Sequence, residues 1–320
     1  MMAVPLLRTL HVAGWRVDTV VDEGFAGLES TYAHHVRHQH LVPVKTWRKR
    51  SLLYDVPGRL GLVARIRRER YDALIQVGTG SLGIWLTWAA RVPVSIAQDV
   101  HHKVAVNRWA YRAVITHRIP VDDHAAAENM AFASALEIAP VTNYPEVRGS
   151  ASSRTVVIAP DATQSGCAIP LSEVTRIIDG LKAAYRDMTI TLIGTKGGIA
   201  EQAAIAHGLA TDHISCDLRD VVGAVRSAGC VIASESGIGH VAATCGVPVI
   251  SVFGPSDPDK VRPWGDSERV VVVRNRHPCQ PCRANGCQNS GVSDCLKSLP
   301  IGDIVQRAMA FLMAPPLSAR

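Results

Sequence analysis

The strongest chemical signal in the chain is one run in its second half, Ser234-Glu235-Ser236-Gly237-Ile238-Gly239-His240. The run follows a short apolar stretch, Cys230 to Ala233, and opens an apolar helical one, so it reads as a strand-to-helix turn. The first backbone N–H groups of a helix lack partners, and the helix dipole favours negative charge there. Small residues at such a turn let a diphosphate approach the backbone. Ser236 adds a hydroxyl donor and His240 lies one turn in. An ordinary serine-capped turn is the plainer alternative, and these residues alone leave it open.

A second cluster lies downstream. Cys279, Cys282, Cys287 and Cys295 are spaced C-x2-C-x4-C-x7-C beside His277. Four thiols in so short a span could hold a structural zinc tetrahedrally, and in a cytosolic chain a metal outranks a disulfide framework. The spacings are not those of paired zinc knuckles, so free or redox-active thiols stand beside zinc as a reading. Cys167, Cys230 and Cys245 read as small hydrophobes. Positive charge is bunched in the first half, as Arg48-Lys49-Arg50 after Trp47 and as Arg65, Arg67, Arg68 and Arg70. With a formal net charge of +6, these clusters point to an anionic partner. The second reads equally well as a solvated helix face. Aromatic residues make up only 5% and no nucleic-acid-binding motif accompanies the charge, so nucleic acid is not expected as a partner.

The elements that must position these residues alternate in type. In the first half, Arg16–Val21 reads as a strand, Leu60–Arg70 as a helix and Ala73–Val77 as a strand. An apolar helix then follows Gly78-Thr79-Gly80, and another runs from His124 to about Leu136. Pro140 to Ser153 reads as a linker. In the second half, strands at Thr155–Ala159, Thr189–Ile193, Cys230–Ala233 and Val247–Phe253 alternate with helices at Leu171–Tyr185, Leu218–Ala228 and Ile238–Cys245. Short apolar strands separated by helices mean parallel sheets with crossover helices, and two such series mean two doubly wound domains. The length of 320 residues suits that, and 47% hydrophobic against 19% charged residues excludes a disordered chain. The nearest candidate for a membrane span, Leu82 to Ala97, is interrupted by Arg91 and Pro93, and no secretory leader is visible. A cytoplasmic protein is expected.

The run Ser234 to Ala243, with Gly246-Val247-Pro248-Val249-Ile250 and Phe253-Gly254-Pro255-Ser256-Asp257-Pro258, resembles the signature of glycosyltransferase family 9, the ADP-heptose:lipopolysaccharide heptosyltransferases. The resemblance extends to Pro263-Trp264-Gly265, the cysteine cluster and the closing helix after Leu299-Pro300. In the first half it touches Pro5–Leu10, Tyr71–Ile75, and His124 with Glu128. It implies a GT-B-like architecture of two Rossmann-like domains with a cleft between them, residues 1–148 binding acceptor and 149–320 binding donor. The last helix is expected to pack back on the first domain. The resemblance also implies an inverting transfer without a metal ion. Donor contacts carry over to Thr163, Ser165, Glu235, Ser236, Gly237 and His240, with Lys196 as a substitute cation.

Three departures qualify the carry-over. Glu235 stands where the family has Asp. In the loop from Pro160 to Pro170, Cys167 replaces a Lys and Ile169 a Trp. Cys216 takes the place of an apolar, base-facing residue, with a buried core thiol as its plainer reading. The family also begins with a strand and a Gly-Asp turn whose Asp is taken as the catalytic base. This chain opens at the following helix, so the first strand is expected to be missing and the base to lie upstream of Met1.

The function this implies is transfer of a sugar, heptose by the family's habit, from an ADP-activated donor to a lipopolysaccharide-core or related glycan. An anionic, membrane-tethered acceptor would meet Arg48, Lys49 and Arg50, with peripheral contact at the cytoplasmic face of the inner membrane. The rivals are a family member with another nucleotide sugar or acceptor, and a degenerate nucleotide-binding protein without catalysis.

Overall fold

The computed structural model describes residues 1–50, 54–78, 81–99, 113–120, 124–141 and 154–313. Contacts divide the chain into two units. One comprises residues 3–26 and 32–142, and the other residues 143–320 together with 1–2 and 27–31. Most of the expected linker falls outside the described residues.

The C-terminal unit is built on strands β6 (Thr155–Ala159), β7 (Thr189–Leu192), β8 (Cys230–Ala233), β9 (Val249–Phe253) and β10 (Val270–Arg274). They form one parallel sheet in the order β10-β9-β8-β6-β7. Central parallel strands are covered on both faces, which is why β8 and β9 are wholly buried and, apart from Ser251, apolar. Helices α6 (Leu171–Ala184), α7 (Ile199–His207) and α11 (Ile301–Met313) cover one face through Val174, Ile177, Leu181, Ala203 and Ile304. Helices α8 (Leu218–Ser227) and α9 (Gly237–Thr244) cover the other through Val221, Val225, Val241 and Ala242. A short helix α10 (Pro258–Val261) precedes β10. The last helix packs on α6 and on β8 and β9. Buried Glu173 fixes that arrangement by accepting from Arg176 and from the Leu299 N–H at 3.0 Å.

The N-terminal unit contains α1 (Val4–Val12), β1 (Asp18–Asp22), β2 (His38–Val42), α2 (Val44–Lys49), α3 (Val56–Glu69), β3 (Ala73–Gln76), α4 (Ser81–Ala90), β4 (Val94–Gln98), β5 (His117–Ile119) and α5 (Ala125–Ser134). Its strands form two separate parallel sheets, β1-β2 and β3-β4-β5. Among the described residues β1 pairs with β2, and β3 with β4. At the starts of β1 and β3 the two sheets are joined by side chains. Arg37 forks onto Asp18 at 2.6 and 3.0 Å and reaches Glu69 at 2.6 Å, and the Tyr71 hydroxyl donates to Asp18. Helix α3 buries Leu62, Val63 and Ile66 with Val42, Trp47 and Leu86. Helix α1 buries Leu6 and Leu10 with Ile96 and Phe132.

Candidate functional site

In chain order the C-terminal sheet runs 2-1-3-4-5, so the strand order reverses between β6 and β8. Ligands of open α/β sheets bind at the carboxyl ends of the strands at such a switch point. The loops there begin at Asp161, after β6, and at Ser234, after β8. Ser234 is buried; its N–H donates to Ala159 O at 3.0 Å and its hydroxyl to Asp161 O at 2.8 Å, fastening the two loops together. Ser236 then turns into α9 with extended backbone (φ −137°, ψ 170°), and its side chain does not cap the helix.

Two polar atoms at this turn have no partner. The Ser236 Oγ and the Glu235 Oε2 are both shielded from solvent without a hydrogen bond. Buried polar atoms are nearly always satisfied, so an unsatisfied pair at a helix start singles this turn out. The other Glu235 oxygen, Oε1, accepts from the Gly254 N–H, and from the Ser256 N–H at a long 3.5 Å, which fixes the carboxylate. Open space lies above Gly237: a Cβ built there meets nothing within 4 Å. Burial, together with the neighbouring Glu235 carboxylate, pushes the Cys167 thiol up to about 12. At neutral pH Cys167 is therefore an uncharged group in the place where the family pattern has a cation.

Asp161 is the hub of the adjacent loop. Its Oδ2 accepts from the Thr195 N–H at 2.8 Å and the Thr195 hydroxyl at 3.2 Å. Its Oδ1 accepts from Ile199 and Ala200 N–H at 2.8 and 3.3 Å, so the carboxylate also caps α7. Gly194 and Gly198 leave room for it, because a Cβ at either would collide with Asp161 Oδ2. Exposed Lys196 rides on this loop, with its N–H held by Ser215 Oγ at 2.6 Å. The sequence reading missed Asp161, although its place after an apolar strand and the glycines of Gly194-Thr195-Lys196-Gly197-Gly198 were visible.

The cysteine-rich segment forms a clasp behind the turn. Gln280 donates to Gly254 O at 2.7 Å, and the Arg283 N–H to Pro255 O at 2.9 Å. Asn285 accepts from the Gly166 N–H at 2.9 Å, and Ser293 donates to Gly166 O at 2.6 Å. The clasp thus grips both the loop that carries Cys167 and the loop that holds Glu235. Cys279 and Cys282 are exposed, Cys287 is half-buried and Cys295 is buried. Burial, then the three neighbouring thiols, pushes Cys295 up to about 11. Among the described residues no three His, Cys, Asp or Glu side chains are grouped to hold a metal, so the four thiols are neighbours without a ligand cage.

The remaining sequence-predicted residues are distributed as follows. Thr163 is exposed on the loop after β6; Ser165 is exposed and turned toward Asn285 at 3.5 Å. His240 sits one turn into α9. Cys216 is partly buried beside Ile238 and the α8 core, where burial and then Asp220 raise its thiol. In the N-terminal unit, buried His124 caps α5 through Nδ1, which accepts from the Ala126 N–H at 3.1 Å, and Glu128 accepts from Gln98 at 3.2 Å. Arg50 is exposed and lies over the Tyr54 ring at 5.8 Å; the side chains of Arg48 and Lys49 lie outside the described residues. Among the described residues no helix is long and apolar enough to cross a membrane.

Comparison with known proteins finds similar sequences and structures. Residues 198–293, which include the Ser234 turn and most of the clasp, match the family model of glycosyltransferase family 9 (heptosyltransferase). Lipopolysaccharide heptosyltransferase 1 of Pseudomonas aeruginosa is 25% identical over 296 residues, covering 86% of this chain and 80% of that protein. Lipopolysaccharide heptosyltransferase 3 of Escherichia coli is 25% identical over 64% of this chain and 66% of its own. Among solved structures, E. coli heptosyltransferase WaaC with ADP superposes with a TM-score of 0.71 at 21% identity, covering 97% of this chain and 95% of that one. A glycosyltransferase family 9 structure from Veillonella parvula superposes at 0.74 and 15% identity, over 97% and 93%. At such identities the likeness speaks for the fold, a GT-B-like pair of Rossmann-like domains.

Proposed function

We propose that this chain is a glycosyltransferase of family 9 and that it transfers heptose from an ADP-heptose donor to a lipopolysaccharide-core or related glycan acceptor. The transfer inverts the anomeric centre and uses no metal ion. One observation carries the donor assignment: the turn at the switch point, where Ser236 Oγ and Glu235 Oε2 are shielded and unpartnered beneath open space at Gly237. A diphosphate at the start of α9 meets unpaired N–H groups, the Ser236 hydroxyl and the favourable end of the helix dipole. The same contacts stabilise the departing nucleoside diphosphate as the glycosidic bond breaks.

In this reading Glu235 Oε2 accepts a hydroxyl of the donor sugar, while Lys196 supplies the positive charge that Cys167 does not. Thr163, Ser165 and His240 line the diphosphate side, and Cys216 with Ile238 faces the nucleobase. The clasp that carries Cys279, Cys282, Cys287 and Cys295 braces the turn and takes no part in the transfer. The acceptor is anionic and membrane-tethered, met by Arg48, Lys49 and Arg50 at the cytoplasmic face of the inner membrane. A second reading, a family member using another nucleotide sugar, is favoured by Glu235 and Cys167 standing where the family has Asp and Lys. A donor panel separates the two.

The test of the donor site is calorimetry with ADP. A Cβ at Gly237 meets no protein atom within 4 Å, so the fold should tolerate Gly237→Val while backbone approach by the phosphates is blocked. ADP binding should weaken by about 1–3 kcal/mol with the melting temperature unchanged. Equal ADP affinity in the two proteins would remove the diphosphate from this turn.

A further inference from the structure

The arginine-rich helix α3 has a surface that donor binding does not explain. Its buried side carries Leu62, Val63 and Ile66. Val56, Leu60, Ala64 and Arg67, spaced i, i+4, i+8 and i+11, fall along one line of the helix, and all four are exposed. Leu60 keeps 58% of its surface in solvent. Arg67 reaches across to α4, where its Nε donates to Ala89 O at 2.8 Å. Ala89 adjoins Trp88, which at 68% exposure is among the most exposed large apolar side chains of the described residues. Arg91 follows Trp88 by three positions. Leu60 and Trp88 thus stand exposed on two helices that pack against each other through Leu62, Val63, Ile66, Leu86 and Ala89.

The charge around this surface has one sign. Arg67, Arg68 and Arg91 are exposed, and none pairs with a carboxylate among the described residues. The nearby acids are otherwise engaged or outnumbered. Glu69 pairs with Arg37, Asp55 accepts from Trp47 Nε1 and the Gly58 N–H, and Asp72 is the one exposed acid in the turn after α3. A tryptophan beside aliphatic side chains, rimmed by unpaired arginines, suits the boundary of an anionic bilayer. There the indole sits at headgroup level and each arginine adds attraction to acidic lipid.

We propose that the outer face of α3 and α4, centred on Leu60 and Trp88 and rimmed by Arg67, Arg68 and Arg91, docks the protein on an anionic lipid surface. This builds on the reading of a membrane-tethered acceptor, but it is tested without donor or acceptor, so the two stand or fall separately. The full chain is sedimented with vesicles of phosphatidylethanolamine and phosphatidylglycerol and, as a control, with phosphatidylcholine alone. The wild type should bind the acidic vesicles and not the neutral ones. The double variant Leu60→Ser/Trp88→Ala should lose about tenfold or more in partitioning, while Ile205→Ser, at an exposed apolar position in the other unit, should lose none. Arg68→Gln/Arg91→Gln should weaken binding chiefly at low salt. Equal partitioning of the Leu60/Trp88 variant and wild type overturns the proposal, as does a wild type that ignores acidic vesicles. A wild-type dimer in light scattering that the double variant converts to monomer would instead give the face to a second copy, and that too overturns it.

Discussion

Removing the carboxylate of Asp161 tests whether the loop beside the Ser234 turn is organised as described. In Asp161→Ala, four donors lose their acceptor: the Thr195 N–H and hydroxyl and the Ile199 and Ala200 N–H groups. Two of these bonds are short, at 2.8 Å, and bonds to a charged acceptor contribute about 1.5–3 kcal/mol each. Asp161 is half-buried and water can reach the loop, so the two longer bonds are discounted and the shorter ones taken at the low end, about 3 kcal/mol in total. For a unit of this size, at about 2–4 °C per kcal/mol, the melting temperature should fall by about 6–12 °C. Asp161→Asn retains one oxygen and turns an NH2 toward donors, so it should fall between Ala and wild type. The assay is thermal melting followed by circular dichroism, paired with ADP calorimetry. Because Lys196 rides on the same loop, Asp161→Ala and Lys196→Ala should be non-additive in ADP affinity. Lys196→Ala alone should leave the melting temperature in place. An Asp161→Ala protein melting within about 2 °C of wild type would refute this account of the loop.

Two further outcomes are expected. Burial pushes the Asp18 carboxyl up, but hydrogen bonds from Arg37 and Tyr71 outweigh it and hold the group down at about 2. A depressed carboxylate contributes stability above its unfolded pKa and loses it as pH falls, so wild type and Asp18→Asn should converge in melting temperature between about pH 4 and pH 2. In thiol titration of the native protein, Cys279 and Cys282 should react quickly and Cys167, Cys230 and Cys295 only on unfolding; four silent clasp thiols with about one co-purifying zinc would contradict the geometry.

Much of the second half was legible because its strands are both buried and apolar. Thr155–Ala159 and Cys230–Ala233 lie where the residue pattern puts them, and the helices around them shift by a residue or two at their ends. The N-terminal strands were harder. His38-Gln39-His40-Leu41-Val42 pairs as β2 although three of its residues are polar, because it lies at a sheet edge. His117–Ile119 is only three residues long and takes its register from β4. Helix α7 was missed because its start is fixed by Asp161, distant in sequence, and not by a local capping residue. The same reason hid most of the site. The Ser234 turn could be read locally, whereas the contact of Glu235 with Gly254 and the grip of Asn285 and Ser293 on Gly166 join segments far apart in the chain.

That long-range grip has a consequence for the order in which the protein is made. The ribosome delivers β6, the Cys167 loop, the Ser234 turn and β9 before residues 280–293 exist. A domain emerges N-terminal end first, at about 5–20 residues per second. During that interval Gly166 lacks Asn285 and Ser293, Gly254 and Pro255 lack Gln280 and Arg283, and Glu173 lacks the Leu299 N–H. The sheet can assemble early from its own apolar strands, but the loops at its carboxyl edge acquire their final shape only when the last turns of chain arrive. The proposed donor site would thus be completed late in the birth of this polypeptide, and a nascent chain stalled before residue 280 would still lack the clasp that shapes it.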